Sequence, residues 1–414
     1  MRIGPIKIHR GKPGRVKRKP LPPEFLPPLM PCNIPVQRCP VPRGQASKRI
    51  LIMRAGAFGD ILMGTTLLAS LRRAYPEAYL TWVVEHTERE AIDANPYIDE
   101  IMRWDGSYWK RMVRSLQYPL WLMRAWRLRD ELRRRRYDVF ISFQPEEWPL
   151  LLCGTGAPVS VGIFDTFKRY YGASRRRHYR RLYTYAFAEP GLPDHRIDQY
   201  LLTLQALGLP PTGPEPMSMG YTLEDRTATE SFLEAQGLTS GEGLVILAPM
   251  TTWPTKCWPA ERFVALGDAL ARRGRRIILI GSAKERPDLE EIAACMKTAP
   301  VVMAGELSFR QTAALLDRAA LLVSGDTGPM HVAAALGTPQ VALFGATSPA
   351  WYGPRSGRAL VMAHPVPCGP CDRKVCGNTE DPHLCMRLLS VEEVLENAGI
   401  LLDRQEAAHE HSHH

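Results

Sequence analysis

The sequence predicts an α/β protein made of two domains, each a parallel sheet wrapped by helices, that face each other across a cleft. Three observations predict it. Short apolar runs alternate with helical patterns over residues 49–207, and the alternation resumes at residue 221. A Pro- and Gly-rich segment, residues 208–220, separates the two series and is interpreted as a linker. A chain of 414 residues also exceeds what one ordinary core accommodates.

The elements follow in chain order. The first domain has strands at 50–53, 79–84, 98–103, 138–143 and 159–163, and its helices lie at 60–74, after 86 and, as one long basic helix, near 110–136. The second domain, residues 221–390, has strands at 243–248, 276–281, 321–323 and 341–344 between helices at 259–272, 284–296, 308–318 and 330–336. Residues 391–414 add a C-terminal helix and a His-rich tail.

The most informative stretch is residues 321–344, LLVSGDTGPMHVAAALGTPQVALF, which indicates a strand, a loop, a helix and a second strand. In open α/β sheets such loops lie at the carboxyl ends of the strands, where ligands bind. The free N–H groups and dipole of a helix N-terminus favour an anionic group, typically a phosphate. The other interpretation is a capped helix start with a tight turn.

A glycine loop, RAGAFGD, follows the first strand and ends at Asp60. Its spacing matches neither the dinucleotide fingerprint nor the P-loop. A carboxylate in the first turn of a helix can cap that helix or accept a proton from a bound hydroxyl. The residues alone leave both roles open for Asp60.

A third loop, PMTTWPTKCW, lies between a strand and a helix of the second domain. The hydroxyls of Thr251 and Thr252 and the ammonium of Lys256 suit a pyrophosphate, although a surface lysine beside an N-cap threonine fits as well. The chain contains no Asp-x-Asp pair, so no metal ion is predicted to hold a diphosphate. Because Asp326 would repel a phosphate, it is expected to cap its helix or shape its loop.

The positive charge is confined to one end of the chain. The first 49 residues hold twelve lysines and arginines against the single acid Glu24, whereas the net charge of the whole chain is +10. The rest is therefore almost neutral, which argues against nucleic-acid binding by the folded body. Residues 1–48 are expected to be disordered, either solvated or resting on an anionic membrane surface. No apolar run could span a bilayer and no secretory signal is present, so a cytoplasmic protein is expected.

Four cysteines fall within eighteen residues, namely Cys368, Cys371, Cys376 and Cys385. A zinc or iron site, packed reduced thiols and a labile disulfide all remain open. Two stretches also mix cations with aromatic residues: residues 168–181 and the helix that carries Trp109, Trp121 and Trp126. Both could contact a phosphorylated glycolipid or a membrane, or could be solvated.

Taken together, these motifs resemble the glycosyltransferase family 9 heptosyltransferases, which build the inner core of lipopolysaccharide. The resemblance covers roughly residues 49–400. Its motifs are ILIMRAGAFGDILMGTTLLASLRRAYP, LAPMTTWPTKCWP, SGDTGPMHVAAALGTPQVALFG and a C-terminal CGPC…C…CM block that ends at Met386. One motif alone would be weak, whereas all four in this order are specific.

The resemblance implies a GT-B fold of two Rossmann-like domains and an inverting, metal-independent transfer from ADP-heptose to a lipopolysaccharide-core glycolipid, without a cofactor. It implies that Asp60 is the general base. It places the donor site at Thr251, Thr252 and Lys256 and at Asp326, Thr327, Gly328 and His331, and it suggests Glu285 as the acid that binds the ribose.

The chain departs from the family pattern at Phe58, where a leucine is usual, in the basic extension, and in residues 168–181, which lie in acceptor-side territory. Two alternatives remain beside the heptosyltransferase interpretation. One is a family 9 transferase that uses another nucleotide sugar or acceptor, and the other is a sugar-nucleotide-binding protein that has lost catalysis.

Overall fold

A computed structural model describes residues 48–143, 154–164, 183–188, 192–209, 216–238 and 243–412. These residues divide into two compact units, one that ends at Gly220 and one that begins at Tyr221. Each unit contains one six-stranded parallel sheet among its described residues, which confirms the predicted α/β class.

The sheet of the N-terminal unit has the order β3-β2-β1-β4-β5-β6. Ile50 to Met53 of β1 are completely buried, as expected for a central strand covered on both faces. The order reverses direction between β1 and β4, and ligands bind at such a switch point. The strands are β1 (Arg49–Met53), β2 (Tyr79–Glu85), β3 (Glu100–Trp104), β4 (Val139–Ser142), β5 (Val159–Phe164) and β6 (Tyr185–Ala188).

The helices of this unit are α1 (Phe58–Gly64), α2 (Thr66–Ala74), α3 (Gly106–Arg114), α4 (Tyr118–Arg134) and α5 (Arg196–Ala206), with a 3₁₀ helix at His86–Ala91. The prediction of one long basic helix near 110–136 is wrong, because the chain turns between α3 and α4. Leu116 has a positive φ of 57°, and Pro119 lies in the first turn of α4, where its missing N–H costs nothing.

The aromatic residues of these two helices do not form one exposed face. Trp109 is buried and stacks on Trp104, with ring centroids 5.4 Å apart, and Trp121 packs edge-on against Trp109. Trp126 is 64% exposed, on the side of α4 opposite the buried Leu128. Of these three tryptophans, only Trp126 is therefore exposed.

The C-terminal unit repeats the strand order of the first, as β12-β11-β10-β7-β8-β9. Its direction reverses between β10 and β7, which pair in parallel with Val323 opposite Leu247. Both units are therefore Rossmann-like. The strands are β7 (Leu244–Ala248), β8 (Arg276–Gly281), β9 (Val301–Ala304), β10 (Leu321–Gly325), β11 (Gln340–Phe344) and β12 (Ala359–Ala363).

The helices of the C-terminal unit include α13 (Val391–Ser412), which packs on its own unit. Val394, Ala398 and Leu401 of α13 are buried in the same core as Leu266 and Leu270. The other helices are α6 (Leu223–Ala235), α7 (Ala260–Arg272), α8 (Arg286–Cys295), α9 (Phe309–Arg318), α10 (Gly328–Leu336), α11 (Pro349–Tyr352) and α12 (Leu384–Arg387), with a 3₁₀ turn at Pro254–Lys256.

The end of the predicted linker is fixed to the N-terminal unit. Asn95 Nδ2 donates to Ser218 Oγ at 2.8 Å, and the Ser218 N–H donates to Thr65 Oγ1 at 2.8 Å. A Cβ on Gly220 would lie only 2.2 Å from the carbonyl oxygen of Ala94, so a glycine is needed there. Residues 218–220 are therefore held on the N-terminal unit.

Two predictions lie outside the described residues: the disordered extension, residues 1–47 of the predicted 1–48, and the basic stretch 168–181. Across the described part of the chain, every helix is too short or too polar to cross a membrane.

Candidate active site

Asp60 lies in the first turn of α1, immediately after the loop that follows β1. This is the carboxyl end of a central strand beside the switch point, where the topology predicts a ligand site. Its side chain is 19% exposed, so it is largely buried yet reachable from solvent. The N-terminal position on α1 favours a negative charge.

The described partners of the Asp60 carboxylate are side chains. Arg54 Nη2 forms an ion pair with Oδ2, Tyr200 Oη donates to Oδ1 at 3.3 Å, and Arg196 Nε lies 3.6 Å from Oδ1. Ala57 is the N-cap residue of α1, and no side-chain hydrogen bond caps the helix there. Two guanidinium groups beside one carboxylate stabilise its ionised form. Asp60 is thus held as an anion by a cluster of side chains.

This cluster is positioned by buried contacts. Arg54 Nη1 donates to the carbonyl oxygen of Phe143 at 3.2 Å, and the Arg54 carbonyl accepts from Trp82 Nε1 at 3.2 Å. The ring of Phe143 packs on that of Tyr200, with centroids 4.1 Å apart. The ends of β1 and β4 and the helix α5 therefore fix the groups around Asp60.

Sequence reasoning did not identify Arg54, Arg196 or Tyr200. Arg54 had a local signal, because it begins the same glycine loop six residues before Asp60. Arg196 and Tyr200 come from α5, a helix that was not predicted, about 140 residues further along the chain. Only the fold brings them to the carboxylate.

In the C-terminal unit, the loops after β7 and β10 meet at the switch point. Lys256 Nζ lies 2.6 Å from Asp326 Oδ2, and both side chains are mostly buried. Thr347 Oγ1 donates to the same oxygen at 2.8 Å, and His331 Nε2 lies 3.8 Å from Oδ1. A Cβ on Gly325 would be 2.8 Å from the Lys256 carbonyl, so this glycine admits the lysine loop.

Asp326 is ionised in this setting. Burial alone would raise the pKa of Asp326, but the nearby His331 side chain and the charge of Lys256 outweigh it and hold the pKa well below its ordinary value. Of the two roles expected for Asp326, capping its helix or shaping its loop, the contacts match the second, because its carboxylate binds Lys256 and Thr347 and the N-cap of α10 receives no side-chain bond. It does shape its loop through Thr347.

The start of α10 agrees with the predicted loop. Thr327 is its N-cap residue, with extended backbone, and Gly328 is the first helical residue, followed by a proline in the first turn. Both residues are partly exposed, whereas His331, one turn further, is buried. The N–H groups at this helix start lie next in sequence to the Lys256–Asp326 ion pair.

Three other predicted site residues do not contact that ion pair in the described set of bonds. The buried Thr251 donates its hydroxyl hydrogen to the Trp253 carbonyl at 2.6 Å, while Thr252 is exposed. Glu285 Oε2 accepts from the N–H and the hydroxyl of Ser282, each at 2.8 Å, and so closes its own loop. The side chains of Thr251 and Glu285 therefore form hydrogen bonds within their own loops.

The four clustered cysteines are reduced thiols. Within the described segments of the chain, no three His, Cys, Asp or Glu side chains are arranged to hold a metal ion. Burial raises the pKa of the Cys385 thiol, and the Cys376 sulfur accepts from the His383 N–H at 3.3 Å. Of the four, only Cys385 is buried, whereas Cys368 is exposed.

A family model described as glycosyltransferase family 9 (heptosyltransferase) matches residues 125–380, more than half of the chain. The chain belongs to glycosyltransferase family 9. The matched region contains Lys256, Glu285 and Asp326 but not Asp60.

Curated relatives agree with the assignment of this chain to family 9. Lipopolysaccharide heptosyltransferase 1 of Pseudomonas aeruginosa is 30% identical over 337 residues, which cover 79% of this chain and 87% of the relative. Lipopolysaccharide heptosyltransferase 3 of Escherichia coli K12 is 26% identical over 72% of this chain and 82% of its own length. The family 9 chain is therefore a glycosyltransferase, as the sequence motifs predict.

Solved structures agree on the fold of the family 9 enzyme. A family 9 glycosyl transferase from Veillonella parvula superposes with a TM-score of 0.72 at 25% identity, covering 87% of this chain and 99% of the other. The E. coli ADP-heptose LPS heptosyltransferase II superposes with a TM-score of 0.67 at 22% identity over the same shares. The predicted GT-B fold is confirmed.

Proposed function

We propose that this enzyme transfers a heptose from ADP-heptose to a glycolipid of the lipopolysaccharide-core type, with inversion of configuration and without a metal ion. The named relatives support the transferred sugar and the acceptor class, since they are lipopolysaccharide heptosyltransferases, and the E. coli heptosyltransferase II structure is described as an ADP-heptose enzyme. The observation that carries the mechanism is Asp60, an ionised carboxylate held by side chains at the carboxyl end of a central strand.

In the proposed donor site, the diphosphate lies at the start of α10. The N–H groups of Thr327 and Gly328 and the ammonium of Lys256 donate to its oxygens, and the helix dipole adds to the attraction. Thr251 and Thr252 belong to the same loop as Lys256, and Glu285 binds the ribose hydroxyls. These cations and dipoles offset the charge that develops on the leaving ADP, the role that a divalent metal has in other transferases.

His331 and Asp326 complete the proposed donor site without touching the reacting bond. Asp326 fixes the ammonium of Lys256, and His331 Nε2 lies 3.8 Å from the other carboxylate oxygen. In this proposal, the bound diphosphate is a second anionic partner for the ammonium that Asp326 holds.

In the proposed acceptor site, Asp60 Oδ1 takes the proton from the acceptor hydroxyl. The described contacts of Oδ1, at 3.3 and 3.6 Å, are longer than the ion pair that Arg54 makes with Oδ2. The acceptor oxygen attacks the anomeric carbon from the face opposite ADP. The bond from that carbon to the diphosphate oxygen breaks, and ADP leaves with the electron pair. One displacement therefore inverts the anomeric configuration.

We also propose that the enzyme works in the cytoplasm, at the surface of the membrane that holds its lipid acceptor. Around the turn between α3 and α4, the exposed apolar residues are Leu116, Tyr118, Leu122, Met123 and Trp126, and exposed arginines lie on the same helices. Apolar side chains flanked by arginines suit an anionic lipid surface.

The test is incubation of the purified full chain with ADP-heptose, other ADP-sugars and UDP-sugars, together with a lipopolysaccharide-core acceptor. Release of ADP that requires ADP-heptose and the acceptor, and that persists in EDTA, is expected. Turnover of another sugar nucleotide instead would favour the first alternative, a family 9 transferase with a different donor. Binding of ADP without turnover of any sugar nucleotide would favour the non-catalytic alternative.

A further inference from the structure

The geometry points to Lys374 as a second cation of the nucleotide-sugar site, one that binds the donor diphosphate. This inference rests on the proposed function. Lys374 Nζ lies 5.5 Å from the ring centroid of Trp253, and Lys256 Nζ lies 4.5 Å from the same centroid. Both ammonium groups therefore lie near the ring of Trp253, in the loop after β7, although 118 residues separate the two lysines in sequence.

The charge balance of the site gives Lys374 a role that Lys256 does not fill. Lys256 is paired with the ionised Asp326, so this pair carries no net charge of its own. Among the described residues, Lys374 forms no ion pair with a carboxylate, and its side chain is exposed. The diphosphate of a nucleotide sugar is dianionic, and Lys374 supplies a positive charge that is in no ion pair among the described residues.

The backbone beside Lys374 is tied to the donor loops. The buried Thr255 donates its hydroxyl hydrogen to the Arg373 carbonyl at 2.6 Å. The Asp372 N–H donates to the carbonyl of Ala346, in the loop after β11, at 2.7 Å. Thr255 belongs to the 3₁₀ turn that also carries Lys256. The fold thus holds the segment that carries Lys374 beside Lys256.

The competing explanation is a purely structural cation–π contact, in which Lys374 covers Trp253 and touches no ligand. The two explanations differ in what they predict for nucleotides. A lysine that binds phosphate discriminates ADP from adenosine and makes binding sensitive to salt, whereas a lysine that only covers the ring does neither.

The experiment is titration calorimetry of the full chain with ADP and with adenosine, at two salt concentrations. Lys374→Ala should weaken ADP binding about tenfold, the scale of one charge-assisted hydrogen bond, and leave adenosine unchanged. Lys374→Arg should restore most of the ADP affinity. Lys297→Ala is the matched control, because Lys297 is an exposed lysine of the same unit whose side chain makes no described contact.

Wild-type ADP affinity in Lys374→Ala would overturn the inference. If Lys256→Ala still weakens ADP binding in that case, the proposed donor site survives and only the role of Lys374 is wrong. If the wild-type protein binds neither ADP nor any other nucleoside diphosphate, the proposed function fails, and the inference fails with it. Equal losses for ADP and adenosine would also overturn it, since they indicate a structural role.

Discussion

Lys256 and Asp326, seventy residues apart in sequence, form a mostly buried ion pair 2.6 Å long at the start of α10. A buried pair costs desolvation that its own attraction only partly repays, and breaking it strands one charge. Removing either charge should therefore change both the stability of the protein and its affinity for an anion. This relationship leads to the first two predictions.

Asp326→Asn should destabilise the free protein and bind ADP at least as well as the wild type. The substitution removes the charge that faces the Lys256 ammonium, at a cost of roughly 3 kcal/mol, and bound diphosphate then supplies a new partner. Thermal melts should show a lower Tm without ADP and a larger rise with saturating ADP than in the wild type. Asp403→Asn, at an exposed position of α13, is the control. A smaller rise would mean that Asp326 acts by orienting the lysine.

Stability should fall in acid partly because of Asp326. Its folded-state pKa is held below the ordinary 3.8 by His331 and Lys256 despite burial, so the unfolded chain binds its proton first as the pH drops. The contribution is complete well above pH 3.8 and disappears as the pH falls from there toward the lower folded pKa. Urea unfolding at a series of pH values should show a smaller acid loss in Asp326→Asn. Parallel curves for the two proteins would contradict this.

Asp60→Asn should reduce kcat/KM by about 10²–10⁴-fold and leave ADP affinity unchanged. Asparagine keeps the shape of the side chain but cannot take a proton from the acceptor hydroxyl. Steady-state ADP release and ADP titration measure the two quantities. Activity within a few-fold of the wild type would remove Asp60 from the role of base.

Tyr200→Phe tests whether α5 positions the base. The hydroxyl of Tyr200 donates to Asp60 Oδ1 at 3.3 Å, and its loss removes a donor that favours the charged carboxylate. We expect kcat/KM to fall by about tenfold and the acid limb of the pH–rate profile to move to higher pH. A lower rate with an unmoved profile would indicate a packing role beside Phe143 instead.

Trp126→Ala and Leu122→Ala should weaken binding to vesicles that contain anionic lipid without lowering turnover of a water-soluble acceptor analogue. These residues are 64% and 60% exposed on α4, so their replacement removes apolar area without opening a core. Vesicle flotation measures the effect. Trp351→Ala, an exposed tryptophan of the C-terminal unit, is the control. Unchanged flotation of both α4 variants would exclude this surface.

Local patterns predicted the elements that touch the proposed ligands, because a strand, a glycine loop and a helix start are adjacent in sequence. The loop at Asp60 and the loop at 326–328 are of this kind. The pairing of Lys256 with Asp326 was not predictable, since it depends on β7 lying next to β10. The helix α5 was not predicted, although Ile197, Tyr200 and Leu204 have helical spacing and are buried. That Arg196 and Tyr200 reach Asp60 depends on the fold, since they lie far from it in sequence.

The cysteine segment gives the protein a chemical handle. Cys371 and Cys376 flank Lys374, and both thiols are partly exposed. An environment-sensitive dye attached at Cys376 would sit two residues from the ammonium assigned to the diphosphate, so its emission should change when nucleotide enters. The same proximity means that preparations left without reductant risk oxidation close to this site, and assays of donor affinity belong in fresh thiol buffer.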